Sequence, residues 1–115
     1  MTIRDIQEDI WDFQQKNIKD INSEKFLLLI ISKIGELSAS ESNESLGHKN
    51  RSLSKEGMGD ALGSALSYLF LYASKRGIDL EEALLRRRDV FKQRLLLGYY
   101  KEILRDDNII FRRGW

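Results

Sequence analysis

The sequence predicts an all-α fold, an antiparallel four-helix bundle, and three observations lead to it. The 115 residues contain no proline, the usual breaker of the helical hydrogen-bond ladder. Apolar residues recur at helical spacing in four separate segments. Residues able to cap a helix N-terminus stand just ahead of these segments.

The first segment starts at Thr2, whose hydroxyl can cap the helix while Asp5 reaches back, a capping box. Ile3, Ile6, Ile10 and Phe13 then fall at helical spacing with Trp11 beside them, and the pattern fades near residues 17–22. Asn22 or Ser23 caps a second helix with Glu24 in its first turn, where the helix dipole favours an acid. The apolar run from Phe26 to Ile31 read alone suits a buried strand. Its continuation through Ile34 and Leu37 to about Ser40 favours a helix buried on most sides. From Ser38 to Ser54 the chain is rich in Ser, Asn, Gly and charge, and a long polar loop is expected. A third helix is predicted from about Ser54 to Arg76, stopped by Gly77, a favourable left-handed cap. Asp79 caps the fourth, with Glu82 completing a second capping box and apolar positions continuing to about Leu104. The expected organisation is one helical domain over residues 1–105 and an irregular basic tail over 106–115.

Composition narrows the function. Hydrophobic residues at 42% and charged residues at 32% suit a folded domain rather than a disordered one. A core of this size is thin, so self-association is expected, as a homodimer or a dimer of dimers. The absence of cysteine excludes disulfides, zinc–thiolate sites and thiol catalysis, and the single His48 excludes a His-rich metal site. Neither a signal peptide nor an apolar run of roughly 18–20 residues is present, so a cytoplasmic protein without a membrane span is expected. The net charge of +1 conceals an asymmetry: residues 1–85 hold 10 Lys/Arg against 14 Asp/Glu, and residues 86–115 hold 9 against 4. A basic end can meet phosphate or nucleic acid, but a solvated helix face is the plainer reading, and no recognised docking motif supports nucleic acid.

Candidate chemistry lies in the acids. Glu56 and Asp60 share one face of the third helix at i,i+4 spacing, and Glu36 sits among Ile34, Gly35 and Leu37. Carboxylates from two facing helices form a partial cage for a hard cation such as Mg²⁺, which keeps several waters and binds substrate phosphates. Acids on a solvated face would need no such ion. His48, in a polar stretch, reads as an exposed loop histidine. Trp11 and Phe13 suit packing as well as stacking on a flat ligand. The guanidinium groups of Arg86, Arg87 and Arg88 match phosphate oxygens, but three consecutive side chains fan over most of a turn.

The order of motifs resembles the MazG-like nucleotide pyrophosphohydrolases. The resemblance rests on Asp5-Ile6-Gln7-Glu8-Asp9-Ile10-Trp11-Asp12-Phe13-Gln14, then Ile34-Gly35-Glu36-Leu37, then Glu56-Gly57-Met58-Gly59-Asp60-Ala61-Leu62 with Tyr68-Leu69. It closes with Gly77-Ile78-Asp79-Leu80-Glu81-Glu82-Ala83-Leu84, and covers about residues 3–94. It implies a MazG-like helical bundle that dimerises through helix faces and hydrolyses a nucleoside triphosphate to the monophosphate and pyrophosphate. Glu36, Glu56 and Asp60 are the implied Mg²⁺ or Mn²⁺ ligands and catalytic acids. Arg87 and Arg94 match basic positions near the substrate phosphates, and Trp11 an aromatic position near the base.

The chain departs from the family's pattern in places. Ser32 and Lys33 stand where two further acids precede Glu36, Gly57 takes a common ligand position, and Phe91 an Asn position. An ammonium repels a nearby cation, and Lys33, three residues from Glu36, could stand in for one by pairing with Glu36 or Asp60. The alternative is therefore a catalytically degenerate relative, a nucleotide-binding or protein-interaction module.

Overall fold

The computed structural model describes residues 1–18 and 21–98, and among them the chain is helical with no strand. Four helices follow in order: α1 Ile3–Asn17, α2 Ser23–Ser45, α3 Lys55–Lys75 and α4 Leu80–Leu96, with a short 3-10 turn at Lys49–Arg51. The chain divides into two compact units, Met1–Leu80 and Glu81–Trp115. The first holds α1, α2 and α3; α4 occupies the second and is described by itself. None of the described helices is long and apolar enough to cross a membrane.

The predicted starts are present. Thr2 Oγ1 accepts from Asp5 N at 3.1 Å while Thr2 N donates to Asp5 Oδ2 at 3.0 Å, closing the capping box. Asn22 Oδ1 accepts from Lys25 N at 2.9 Å and Ser54 Oγ from Gly57 N at 3.1 Å, each satisfying a first-turn donor. Gly77 ends α3 with φ at 70°, a conformation that a side chain would strain.

Two boundaries differ from the sequence expectation. α2 continues through Ser45, so the polar stretch from Ser38 is helix rather than loop, and the connection shortens to residues 46–54. The reason is tertiary: Ser40 is buried and its Oγ accepts from Leu53 N at 2.7 Å, while Asn43 Nδ2 donates to Arg51 O at 3.2 Å. Those bonds reward a last helical stretch that serines alone would not favour. α4 spans Leu80–Leu96, with Gly98 at φ 74° and Gly98 N bonded to Leu95 O, so residues 97–98 are a turn rather than helix; the rest of the expected continuation, to about Leu104, lies outside the described residues. The expected tail, Tyr99, Tyr100 and Trp115 lie outside the described residues.

α2 and α3 pack as an antiparallel hairpin, since the Ser40–Leu53 and Asn43–Arg51 bonds fold the connection back on itself. On α2 the covered line is Phe26, Ile30, Lys33, Leu37 and Ser40; on α3 it is Ala61, Ala65, Tyr68 and Tyr72. Both follow alternating steps of three and four residues, so each line runs straight along its helix. Phe26 is the largest fully buried side chain, and Ala61 and Ala65 on α3 let the helices approach closely.

α1 packs on α3, whose C-terminal half buries Phe70, Leu71 and Ala73. Its anchor is Gln7, which occupies an otherwise apolar phase of α1 and is buried. Gln7 Nε2 donates to Ile78 O at 2.8 Å and to Ser74 Oγ at 3.1 Å, and its Oε1 accepts from Leu80 N at 3.0 Å. Nearby, Arg4 Nε meets Asp79 Oδ2 at 2.7 Å.

α2 is therefore not buried on most sides. Leu27, Leu28, Ile31 and Ile34 are exposed, because within the unit α2 packs chiefly on α3, which covers one line of it.

Two predictions follow from these contacts. Gln7→Leu keeps the side-chain volume but strands the Leu80 N–H and the Ile78 carbonyl, and is expected to cost about 2–3 kcal/mol in urea unfolding; an unchanged midpoint would show that the amide contributes nothing. The Thr2 backbone N–H, then the Thr2 hydroxyl, and finally the Arg4 charge hold the Asp5 carboxyl below its ordinary pKa, outweighing a slight desolvation. A depressed acid stabilises the fold above its unfolded pKa, and that contribution disappears as pH falls through the folded pKa. Asp5→Asn should thus melt lower than wild type at neutral pH, with the two curves converging at strongly acid pH.

Candidate functional site

Helical phase settles where each acid points. At about 100° per residue, Glu36 lies roughly 80° round α2 from its covered line, and Asp60 lies about 110° round α3 from its own, turned in the same sense. Because the helices are antiparallel, equal rotations from the contact line lead to the same side of the hairpin. Glu56 follows Asp60 on that side, further round. The Ser40–Leu53 and Asn43–Arg51 bonds set the register, and counting back from them places Glu36 nearly level with Gly57 and Met58, between Glu56 and Asp60.

All three acids are exposed. Among the described residues, no group of three His, Cys, Asp or Glu side chains lies close enough to hold a metal ion. The nearest charge to Glu36 is a cation of the chain itself: Lys33 Nζ stands 3.4 Å from Glu36 Oε1. The helix forces this meeting, since residues at i and i+3 share a face. Lys33 belongs to the covered line of α2 and is half-buried, with its stem along the contact with α3 and its ammonium reaching toward the acid side. The pair remains open to water and is worth on the order of 0.5 kcal/mol at most.

The other expected site residues belong to α1 and α4. Arg87 is exposed and Arg94 half-buried, both on α4 in the second unit. Trp11 is half-buried and lines an open cavity of about 290 Å³ with Arg4, Gln7, Glu8, Ser74, Gly77, Ile78 and Asp79. That cavity sits at the C-terminal end of α3, whereas Glu56 and Asp60 occupy its N-terminal end, about 20 Å away at 1.5 Å per residue. Within one chain, Trp11 does not join the acids. His48 is exposed in the connection after α2, as expected.

Gln7 is the residue that sequence reading passed over. Its signal was present: a lone amide in the apolar phase set by Ile3, Ile6 and Ile10, where a buried polar group must find partners.

What the arrangement can do follows from its charge. One side of the α2–α3 hairpin carries three exposed carboxylates and one half-buried lysine at similar height. It can take a cation or a hydrogen-bonding ligand, and it holds one positive charge of its own. Lys33→Met removes that charge but keeps the stem, and should move the unfolding free energy by less than about 1 kcal/mol; a larger loss would mean that the ammonium has a further partner. No protein-family model, curated protein or solved structure matches this chain.

Proposed function

We propose that this chain is a self-associating, MazG-like nucleotide-handling domain in which the Lys33 ammonium takes over the charge of a bound divalent cation. It would bind a nucleotide or a protein partner on the acid side of the α2–α3 hairpin without cleaving a phosphoanhydride. The observation that carries this reading is the 3.4 Å approach of Lys33 Nζ to Glu36 Oε1. An ammonium at this position neutralises the acid that the resemblance assigns to the ion, yet it provides no Lewis acid and no activated water. It also repels a cation from the same carboxylate.

A second reading, an active nucleoside triphosphate pyrophosphohydrolase, draws on the helical phase that puts Glu36, Glu56 and Asp60 on one side. Mg²⁺ or Mn²⁺ held by those carboxylates would neutralise the phosphates and activate water. With Lys33 against Glu36 the donor set does not fit a divalent ion as it stands, and no reaction step is derived through one.

Thermal melting with nucleoside triphosphates, with and without Mg²⁺ or Mn²⁺, separates the readings. A ligand at a hundredfold its Kd stabilises the native state by about 2.7 kcal/mol, several degrees for a domain of this size. The degenerate reading expects a nucleotide-dependent rise that persists without metal, and no pyrophosphate released. Pyrophosphate formed from any NTP or dNTP with Mg²⁺ would overturn it in favour of the hydrolase. Lys33→Glu should create a metal-dependent rise in midpoint; if it only lowers the midpoint, Lys33 does not stand at the site.

A further inference from the structure

The cavity at the C-terminal end of α3 takes no part in the reading above. It lies within the first unit, has a volume of about 290 Å³ and opens to water. One wall is α1, where Arg4, Glu8 and Trp11 stand at i, i+4 and i+7 and so share a helix face. The other is the turn that follows α3, from Ser74 to Asp79.

Two acids and one base line this cavity. Arg4 Nε donates to Asp79 Oδ2 at 2.7 Å, so those two charges offset each other. Glu8 is exposed and joins no ion pair among the described residues, which leaves the lining with one unbalanced negative charge. The backbone adds to it: α3 ends here, and the last carbonyls of a helix carry about half a negative charge. Lys75 and Arg76 leave from the same end, but both are exposed and lie outside the lining.

The apolar part of the lining is small and well placed. Trp11 is half-buried and stands three residues from Glu8, so indole and carboxylate are neighbours on one face of α1. Ile78, on the other wall, is 44% exposed. Gln7 already uses both of its N–H groups and its oxygen on the turn, so its amide is committed to the fold.

We propose that this cavity binds an organic ammonium ion on a short alkyl stem. The ammonium donates to the Glu8 carboxylate and lies beside the Trp11 indole, whose ring attracts a cation, while Ile78 covers the stem. An ammonium fits because it only donates and is positive, and the charge left over in the lining belongs to an acceptor. An anion would be repelled by Glu8, and a neutral flat ring would leave that carboxylate without a partner. The site stands at the opposite end of α3 from Glu56 and Asp60, so it does not depend on the reading of the acid side.

Fluorescence tests this. A Trp115→Phe chain keeps Trp11 as its single tryptophan. Butylammonium, titrated at constant ionic strength, should change its emission saturably with a Kd on the order of millimolar or below. Butanol, which has the same stem without the charge, should give no saturable change in that range. Glu8→Gln should weaken butylammonium binding by at least about fivefold and leave the melting midpoint little changed, because the carboxylate is exposed and unpaired. The Trp11 indole N–H resonance gives a second reading in the unaltered chain. N-acetyl-lysine methylamide distinguishes the sources: binding tighter than butylammonium assigns the cavity to a protein lysine, and weaker binding to a free amine. No saturable response to either amine would overturn the proposal, as would an equal response to butanol or an affinity that Glu8→Gln leaves unchanged. A stronger response to adenine or cytosine than to the amines would also overturn it, and would give the cavity to a flat base.

Discussion

The packing of α2 on α3 is the constraint on which the rest of the first unit depends. Two helices touching along one line each leave two flanks, and an antiparallel pair aligns those flanks into two broad sides. Here the covered line is made of Phe26, Ala61 and Ala65 with half-buried neighbours. Once it is set, helical geometry leaves Glu36, Glu56 and Asp60 to one side and the exposed Leu27, Ile31, Ile34, Leu62, Leu66 and Leu69 to the other. The polar and apolar sides are two consequences of one contact. Rotating either helix by a third of a turn would destroy both.

Gln7 fixes the other end of α3. Its amide meets a hydroxyl, a carbonyl and a backbone N–H across the Ser74–Leu80 turn, and no buried side-chain polar atom among the described residues lacks a partner. A neutral amide suits this position because it both donates and accepts, which neither a carboxylate nor an ammonium can do. The Gly77–Leu80 segment, the clearest helix-start signal in the sequence, is thus held from α1 as well as by its own chain chemistry.

Lys33 connects packing to chemistry. Its stem is part of the line that α2 buries against α3, and its ammonium ends at Glu36. A shorter or acidic residue at this position would change the packing and reverse the sign of the local charge together. The contribution to stability is small, because the pair is open to water. Its importance lies in what the positive charge admits to the face and what it repels.

The sequence by itself determined what is local. Caps at Thr2, Asn22 and Ser54, the left-handed Gly77, the pairing of Lys33 with Glu36 and the shared helix face of Glu56 and Asp60 all lie within one or two helical turns, where spacing alone decides which residues are neighbours. Tertiary structure decided the rest. Ser38 to Ser45 has the composition of a loop and becomes helix because Ser40 and Asn43 find partners across the connection. The run Phe26–Ile31 is apolar on every side, so it could not reveal which flank α3 would cover and which would remain bare. Bringing Glu36 level with Glu56 and Asp60 required a register between two helices, and Gln7's three partners are more than sixty residues away along the chain. Such contacts are chosen by packing, and a single sequence encodes them only through the fold they create.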